Sequence, residues 1–186
     1  MGKRQQAPGR LEHVRSFVNT LDIETGVDEL TRPGQLREWM VEHGLARPGT
    51  RVTRADLARA GALREALREI LLAHNDGADP AHDAWRALDE AARRAGMGLR
   101  FDDRGGASLQ PSAGGVDGAL GRLLAIVHAA IADGSFNRLK ACREPTCEWA
   151  FYDYTKNRSG AWCTMDVCGN RAKARAYRER RAMAAQ

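Results

Sequence analysis

Aromatic residues are sparse in this 186-residue chain, at 6%, although a hydrophobic content of 43% is enough for a core. No apolar run approaches the roughly 20 residues that a membrane span needs, so no membrane partner is expected. The opening Met1-Gly2-Lys3-Arg4-Gln5-Gln6 is basic, but no apolar stretch follows it. A signal peptide is therefore not expected, and a cytoplasmic location is. The five histidines (His13, His43, His74, His82 and His128) are scattered, with no H-E-x-x-H or H-x-E pattern. The glycine pairs Gly105-Gly106 and Gly114-Gly115 match neither a P-loop nor G-x-G-x-x-G and read as turns. No internal repeat stands out. These absences argue against an enzyme. The length allows one large domain, or a medium domain with a small module.

Cysteine is absent from the first 141 residues and then occurs four times, at Cys142, Cys147, Cys163 and Cys168. The spacing is C-x4-C, a fifteen-residue gap, then C-x4-C. Two close pairs separated in this way let two turns each supply two thiolates to one tetrahedral metal site. Two disulfides or four unrelated thiols are the alternatives, and disulfides require an oxidising compartment. One structural zinc is the expectation, with four protein ligands closing the site to catalysis.

The charge is as unevenly placed as the cysteine. The net charge is +5, yet residues 138–186 hold 11 Lys/Arg against 5 Asp/Glu, leaving the first 137 residues slightly acidic. A charge run is usually a solvated face. Its coincidence with a metal module points to a polyanion partner.

Hydrophobic periodicity predicts a mainly helical first part. After a polar stretch at residues 1–10, a helix is expected from Leu11 to about Leu21, with Val14, Phe17, Val18 and Leu21 on one face. A second runs from Pro33 to His43, with Leu36, Trp39 and Met40 inward and Gly44 ending it. Thr53 caps a third, through Ala73, buried along Leu63, Leu67, Ile70 and Leu71. Residues 75–80 form a break, and a fourth helix covers about Ala81 to Ala95. Residues 98–110 alternate around a glycine turn and predict a β-hairpin. A fifth helix, about Val116 to Ala132, carries the stripe Leu120, Leu123, Leu124, Val127 and Ile131, and Gly134 ends it. The connection to the cysteine module is short, which limits relative motion.

Within that module Trp149-Ala150-Phe151-Tyr152 predicts a strand over the metal site. Fewer than 50 residues bury too little to fold unaided, so zinc supplies folding free energy. Cys168 opens a carboxy-terminal helix, and two knuckles followed by a helix make a treble-clef-like arrangement. On that helix Arg171, Arg175 and Arg178 share one face, with Lys173 and Arg180 opposite and Arg181 following. Ala172, Ala176 and Met183 form a narrow apolar edge for docking. Lys156, Asn157 and Arg158 in the loop between the cysteine pairs add candidate backbone contacts to nucleic acid. Arg171 has a structural alternative, pairing with Asp153, and Asn170 has one as a helix cap.

The segment Trp162-Cys163-Thr164-Met165-Asp166-Val167-Cys168-Gly169-Asn170-Arg171, with the aromatic run before it, resembles the CGNR zinc finger, whose tetrapeptide is here Cys168-Gly169-Asn170-Arg171. The match covers about residues 138–181. One departure stands inside it: Gly160-Ala161 occupies the place of an expected basic pair. Phe17-Val18-Asn19-Thr20-Leu21-Asp22, with Asp28, Leu30, Pro33, Leu36 and Trp39, resembles the helical ABATE domain that usually precedes this finger. The resemblance implies a bacterial DNA-binding protein acting in stress-induced transcription regulation. It also makes Asn19 and Asp22 candidates for a small-molecule effector site, although both residue types serve equally as caps.

The combined expectation is a mainly α domain with a small β-hairpin over residues 1–134, followed by a treble-clef-like zinc finger over 135–186. DNA is the expected partner, a small-molecule effector and a homodimer are candidates, and catalysis is not expected. A zinc-stabilised protein-interaction or RNA-binding module is the alternative.

Overall fold

The computed structural model describes residues 5–75, 77 and 79–184. The expected polar start at residues 1–4, and positions 76 and 78 of the break, lie outside the described residues. Among the described residues the chain is 52% helical with three small two-stranded sheets. The helices are α1 (Leu11–Val18), α2 (Pro33–Glu42), α3 (Arg54–Ala73), α4 (His82–Ala95), α5 (Gly115–Ala132) and α6 (Asn170–Ala184). The antiparallel sheets pair β1 (Leu21–Asp22) with β2 (Val27–Asp28), β3 (Met97–Phe101) with β4 (Ala107–Pro111), and β5 (Leu139–Ala141) with β6 (Ala150–Tyr152).

Local chemistry explains most boundaries. Thr53 and Asp56 form a reciprocal capping box that starts α3. Pro33 opens α2, and Gly44, at a φ of 66°, lets Leu45 return its N–H to the Met40 carbonyl. The first helix is shorter than its periodicity suggested. It stops at Val18, because Asn19 and Thr20 turn out of it and Leu21 begins β1. Of the α5 stripe, Leu120, Leu123, Leu124 and Val127 are buried, whereas Ile131 is exposed.

Helix α5 also corrects the reading of apolar runs. At 18 residues and a mean hydropathy of 1.4 it is long and apolar enough to cross a membrane by length and composition. Its neighbours account for that composition: it packs against α1, α3 and α4, with β4 across one side. Gly121 permits a close approach of neighbouring elements, since a Cβ there would fall 2.6 Å from Ala95 Cβ and 2.8 Å from Pro111 Cβ.

Packing is continuous across residue 134. Leu139 and Ala141 of β5, with Ala150 and Tyr152 of β6, belong to the same buried cluster as Val14, Phe17, Leu67 and Ile70. Side chains of α3 and of the residues just after α1 and α3 then secure the β5–β6 hairpin's backbone. Asn19 accepts the Ala150 N–H at 2.7 Å and donates to the Ala150 carbonyl at 2.9 Å. His74 bonds the Leu139 carbonyl at 2.8 Å, Asn75 that of Ala141 at 2.6 Å, and Arg68 that of Glu148 at 3.0 Å. Each replaces a backbone–water bond lost on burial, and together they fix the hairpin's orientation.

Candidate metal centre and nucleic-acid interface

The four cysteines converge from two turns. Cys142 and Cys147 flank the turn after β5, while Cys163 precedes, and Cys168 lies within, a π-helical turn at Met165–Gly169 that runs directly into α6. All four sulfurs are buried and lie within 4.8 Å of one another. Cys147 Sγ is 3.6 Å from Cys163 Sγ, and Cys163 Sγ is 3.7 Å from Cys168 Sγ. A tetrahedron with Zn–S bonds of about 2.3 Å has S···S edges of about 3.8 Å, so these separations fit a zinc ion and are far longer than a disulfide. Backbone N–H groups of Glu144 and Cys163 reach the Cys142 sulfur, and that of Trp149 reaches Cys147. Burial, and then the charges of Cys142, Cys163 and Cys147, push the Cys168 thiol far above the ordinary range. Four thiolates this close need a cation to be stable together. The site holds one structural zinc.

Phe151 is buried beside the sulfurs, with Trp149 and Trp162 packed against them. These aromatics cover the metal site, as the strand pattern suggested. Glu148, between Cys147 and Trp149, takes a left-handed φ of 45°, and Arg68 holds its carbonyl.

The loop that leaves β6 is organised by a buried ion pair. Lys140 Nζ lies 2.9 Å from Asp153 Oδ2 and also donates to the carbonyls of Arg158 and Gly160. Asp153 further accepts from Thr155 and from the Gly160 N–H. Burial would raise the Asp153 carboxyl, but these hydrogen bonds outweigh it and hold it below the usual carboxylate range. The Gly160-Ala161 departure has a physical reason here. A Cβ on residue 160 would sit 2.7 Å from Asp153 Oδ1, so glycine allows the carboxylate to close on the loop.

Two of the arginines placed on one face of α6 are engaged within the protein. Arg175 makes two 3.0 Å bonds to the buried Glu144 carboxylate, clamping α6 to the first knuckle. Arg171 pairs at 2.7 Å with Glu24, from the β1–β2 turn. The Asp153 partner considered for Arg171 belongs instead to Lys140. Asn170 bonds the Asp166 carbonyl. Ala172 and Ala176 form the half-buried docking edge, but Met183 does not join them, because the helix has already left the module and Met183 is 78% exposed. Lys156, Arg158, Lys173, Arg178 and Arg180 are exposed and form no ion pair among the described residues, and Arg181 lies over the Tyr177 ring. Asn157 is exposed on the same loop as Lys156 and Arg158.

The candidate effector residues hold backbone. Both ends of the Asn19 amide are bound to Ala150, and Asp22 Oδ1 accepts the N–H groups of Glu24 and Thr25. Glu144 escaped the sequence reading. Its signal was an acid between two cysteines in a module otherwise rich in base. Arg68, His74 and Asn75 also escaped it, since neither the periodicity of α3 nor the break after it says anything about the hairpin they meet.

A comparison with curated proteins finds no match. The family model for the CGNR zinc finger matches residues 138–181. The ABATE model, described as "Putative stress-induced transcription regulator", matches residues 14–133. With the larger model spanning well over half of the chain and the finger following it, this protein belongs to the ABATE family and carries a CGNR zinc finger.

Proposed function

We propose that the protein is a non-catalytic, cytoplasmic transcription regulator that binds DNA through its finger and α6, with the helical part as sensor. The observation that carries this reading is that α6 has no buried residue over its 15 positions. This helix is about 22 Å long; its first turns are braced on the zinc knuckle and the rest stands clear of the protein. A helix that contributes nothing to the core and carries Lys173, Arg178, Arg180 and Arg181 suits a DNA major groove. Lys156 and Arg158 on the preceding loop add phosphate contacts. Membership in the ABATE family supports the regulator role and the link to stress. Zinc then acts by holding α6 at a fixed angle to the helical domain, and four thiolates leave it no open position for chemistry.

The test is selection of bound fragments from fragmented source-genome DNA by zinc-loaded protein at near-physiological salt, with Cys163→Ser as control. A few recovered sequences, lost in the variant, and an affinity falling steeply with salt are expected. Uniform weak recovery would overturn sequence-specific DNA binding. A second reading, single-stranded RNA, is favoured by the exposed Tyr154 and Tyr177 rings. It predicts capture of RNA in the same experiment, weakened by Tyr154→Ala without loss of zinc.

A further inference from the structure

Between the β3–β4 hairpin and the outer face of α5 lies an open groove of about 690 Å³, within the usual range for small-molecule sites. The hairpin register pairs Met97 with Pro111, Leu99 with Leu109, and Phe101 with Ala107. Alternation then puts all six on one face, with Gly98, Arg100, Ser108 and Gln110 on the other. At its base that face is used, since Met97 and Pro111 close against Gly121 of α5. Towards the tip it is not: Leu99 is 55% and Phe101 76% exposed. Across the groove α5 presents Ala125, Ala129 and Ala132, at i, i+4 and i+7, whose small side chains leave the space unfilled.

The groove has a polarity. Arg122 lines one end, its guanidinium anchored at 2.9 Å on the Leu45 carbonyl. Arg122 also lines an adjoining cavity of about 530 Å³ together with Arg47. At the far end Arg10 and Asp133 are of opposite sign, and Asp133 is engaged by the Ser135 N–H. From Arg122 to Ala132 the α5 wall runs about 15 Å. The walls between are mixed: Leu99, Ala107, Leu109 and the α5 alanines are apolar, while Ser108 and Gln110 edge the β4 side and exposed His128 the α5 side.

We propose that this groove binds an aliphatic monocarboxylate of about a dozen carbons, its carboxylate at Arg122 and its chain between the hairpin and α5. Charge complementarity at one end selects an anion, and the apolar strip of Leu99, Leu109, Ala125, Ala129 and Ala132 favours a chain over a compact polar metabolite. The groove deepens the reading of the helical part as sensor and rests on it for its regulatory consequence: α5 leads through a short connection into β5, so an occupant of the groove bears on the element that positions the finger.

Isothermal titration of the zinc-loaded full chain with octanoate, decanoate and dodecanoate, below their aggregation concentrations, tests it. Saturable binding is expected, tightening by up to about fourfold per added methylene, as expected for each buried CH₂. Dodecanol should bind at least about tenfold more weakly than dodecanoate, as should dodecanoate to Arg122→Gln. Ala129→Trp, at an exposed helix position, fills the groove and should abolish binding while leaving the circular dichroism spectrum unchanged. Absence of saturable binding, no dependence on chain length, or undiminished binding to Ala129→Trp would overturn the assignment. So would sedimentation showing a dimer that Ala129→Trp dissociates, since the groove would then be an interface between copies. Binding is read without DNA, so a failed titration with intact DNA binding refutes the groove alone, and bound carboxylate with no DNA binding refutes the finger reading alone.

Discussion

Replacing Asn19 by alanine should cost this protein about 1.5–4.5 kcal/mol of stability, and the strand geometry shows why. In the β5–β6 hairpin, Cys142 donates to the Trp149 carbonyl and Asp153 to that of Arg138. Alternation along an antiparallel ladder makes the Ala141–Ala150 pair the kind that exchanges no hydrogen bonds, so the Ala150 N–H and C=O point away from β5. Asn19, only 7% exposed, meets both, its amide serving as one residue of a missing third strand. In Asn19→Ala the N–H of fully buried Ala150 has no partner, at about 1–3 kcal/mol. The carbonyl keeps a long 3.4 Å contact from Arg15, so its loss is about 0.5–1.5 kcal/mol. Urea unfolding of the zinc-loaded protein at neutral pH reads the sum as a shift in midpoint at unchanged slope. Asn19→Asp keeps the acceptor but turns a carboxylate oxygen towards the Ala150 carbonyl, and should be no better tolerated. A loss below about 0.5 kcal/mol for Asn19→Ala would refute this reasoning, and would return Asn19 to the role of an effector ligand.

Arg175 and Arg178 lie on one face of α6 but should separate cleanly. Arg175→Ala is expected to lower the thermal midpoint, because it strands the buried Glu144 carboxylate, whereas Arg178→Ala should leave the midpoint unchanged and weaken DNA binding. Glu24→Gln releases Arg171 and should raise DNA affinity about two- to fivefold at low salt, as measured by fluorescence anisotropy. The hydrogen bonds from Arg64 hold the Asp28 carboxyl below its usual range. A carboxylate lowered by folding contributes stability above its unfolded pKa, and that contribution is lost as pH falls through the folded value. The stability difference between the natural protein and Asp28→Asn should therefore be full at pH 6 and shrink below about pH 4, read by urea midpoints at each pH.

Much of this protein was legible in its sequence because the deciding forces act over a few residues. The Thr53–Asp56 capping box, Pro33 at the start of α2, and the stripe Leu63, Leu67, Ile70 and Leu71 are settled within one helix. The same holds for the metal site, since thiolates in two short turns constrain one another through a single ion. The site's charged surroundings were not legible. Eleven basic residues in the finger segment look alike in sequence, and only tertiary contact distinguishes Lys140, buried on Asp153, and Arg175, clamped on Glu144, from Lys173 and Arg178, which face solvent. Arg171 found Glu24 and Asn19 found Ala150, partners more than 130 residues distant whose approach no local pattern encodes. The sequence by itself determined which segments are helical and which atoms bind zinc, through periodicity, capping and ligand chemistry. Tertiary structure alone decided which polar side chains are spent on welding the finger to the helical core and which are left for a partner, because a hydrogen bond or ion pair depends on distances that exist only once the chain has folded.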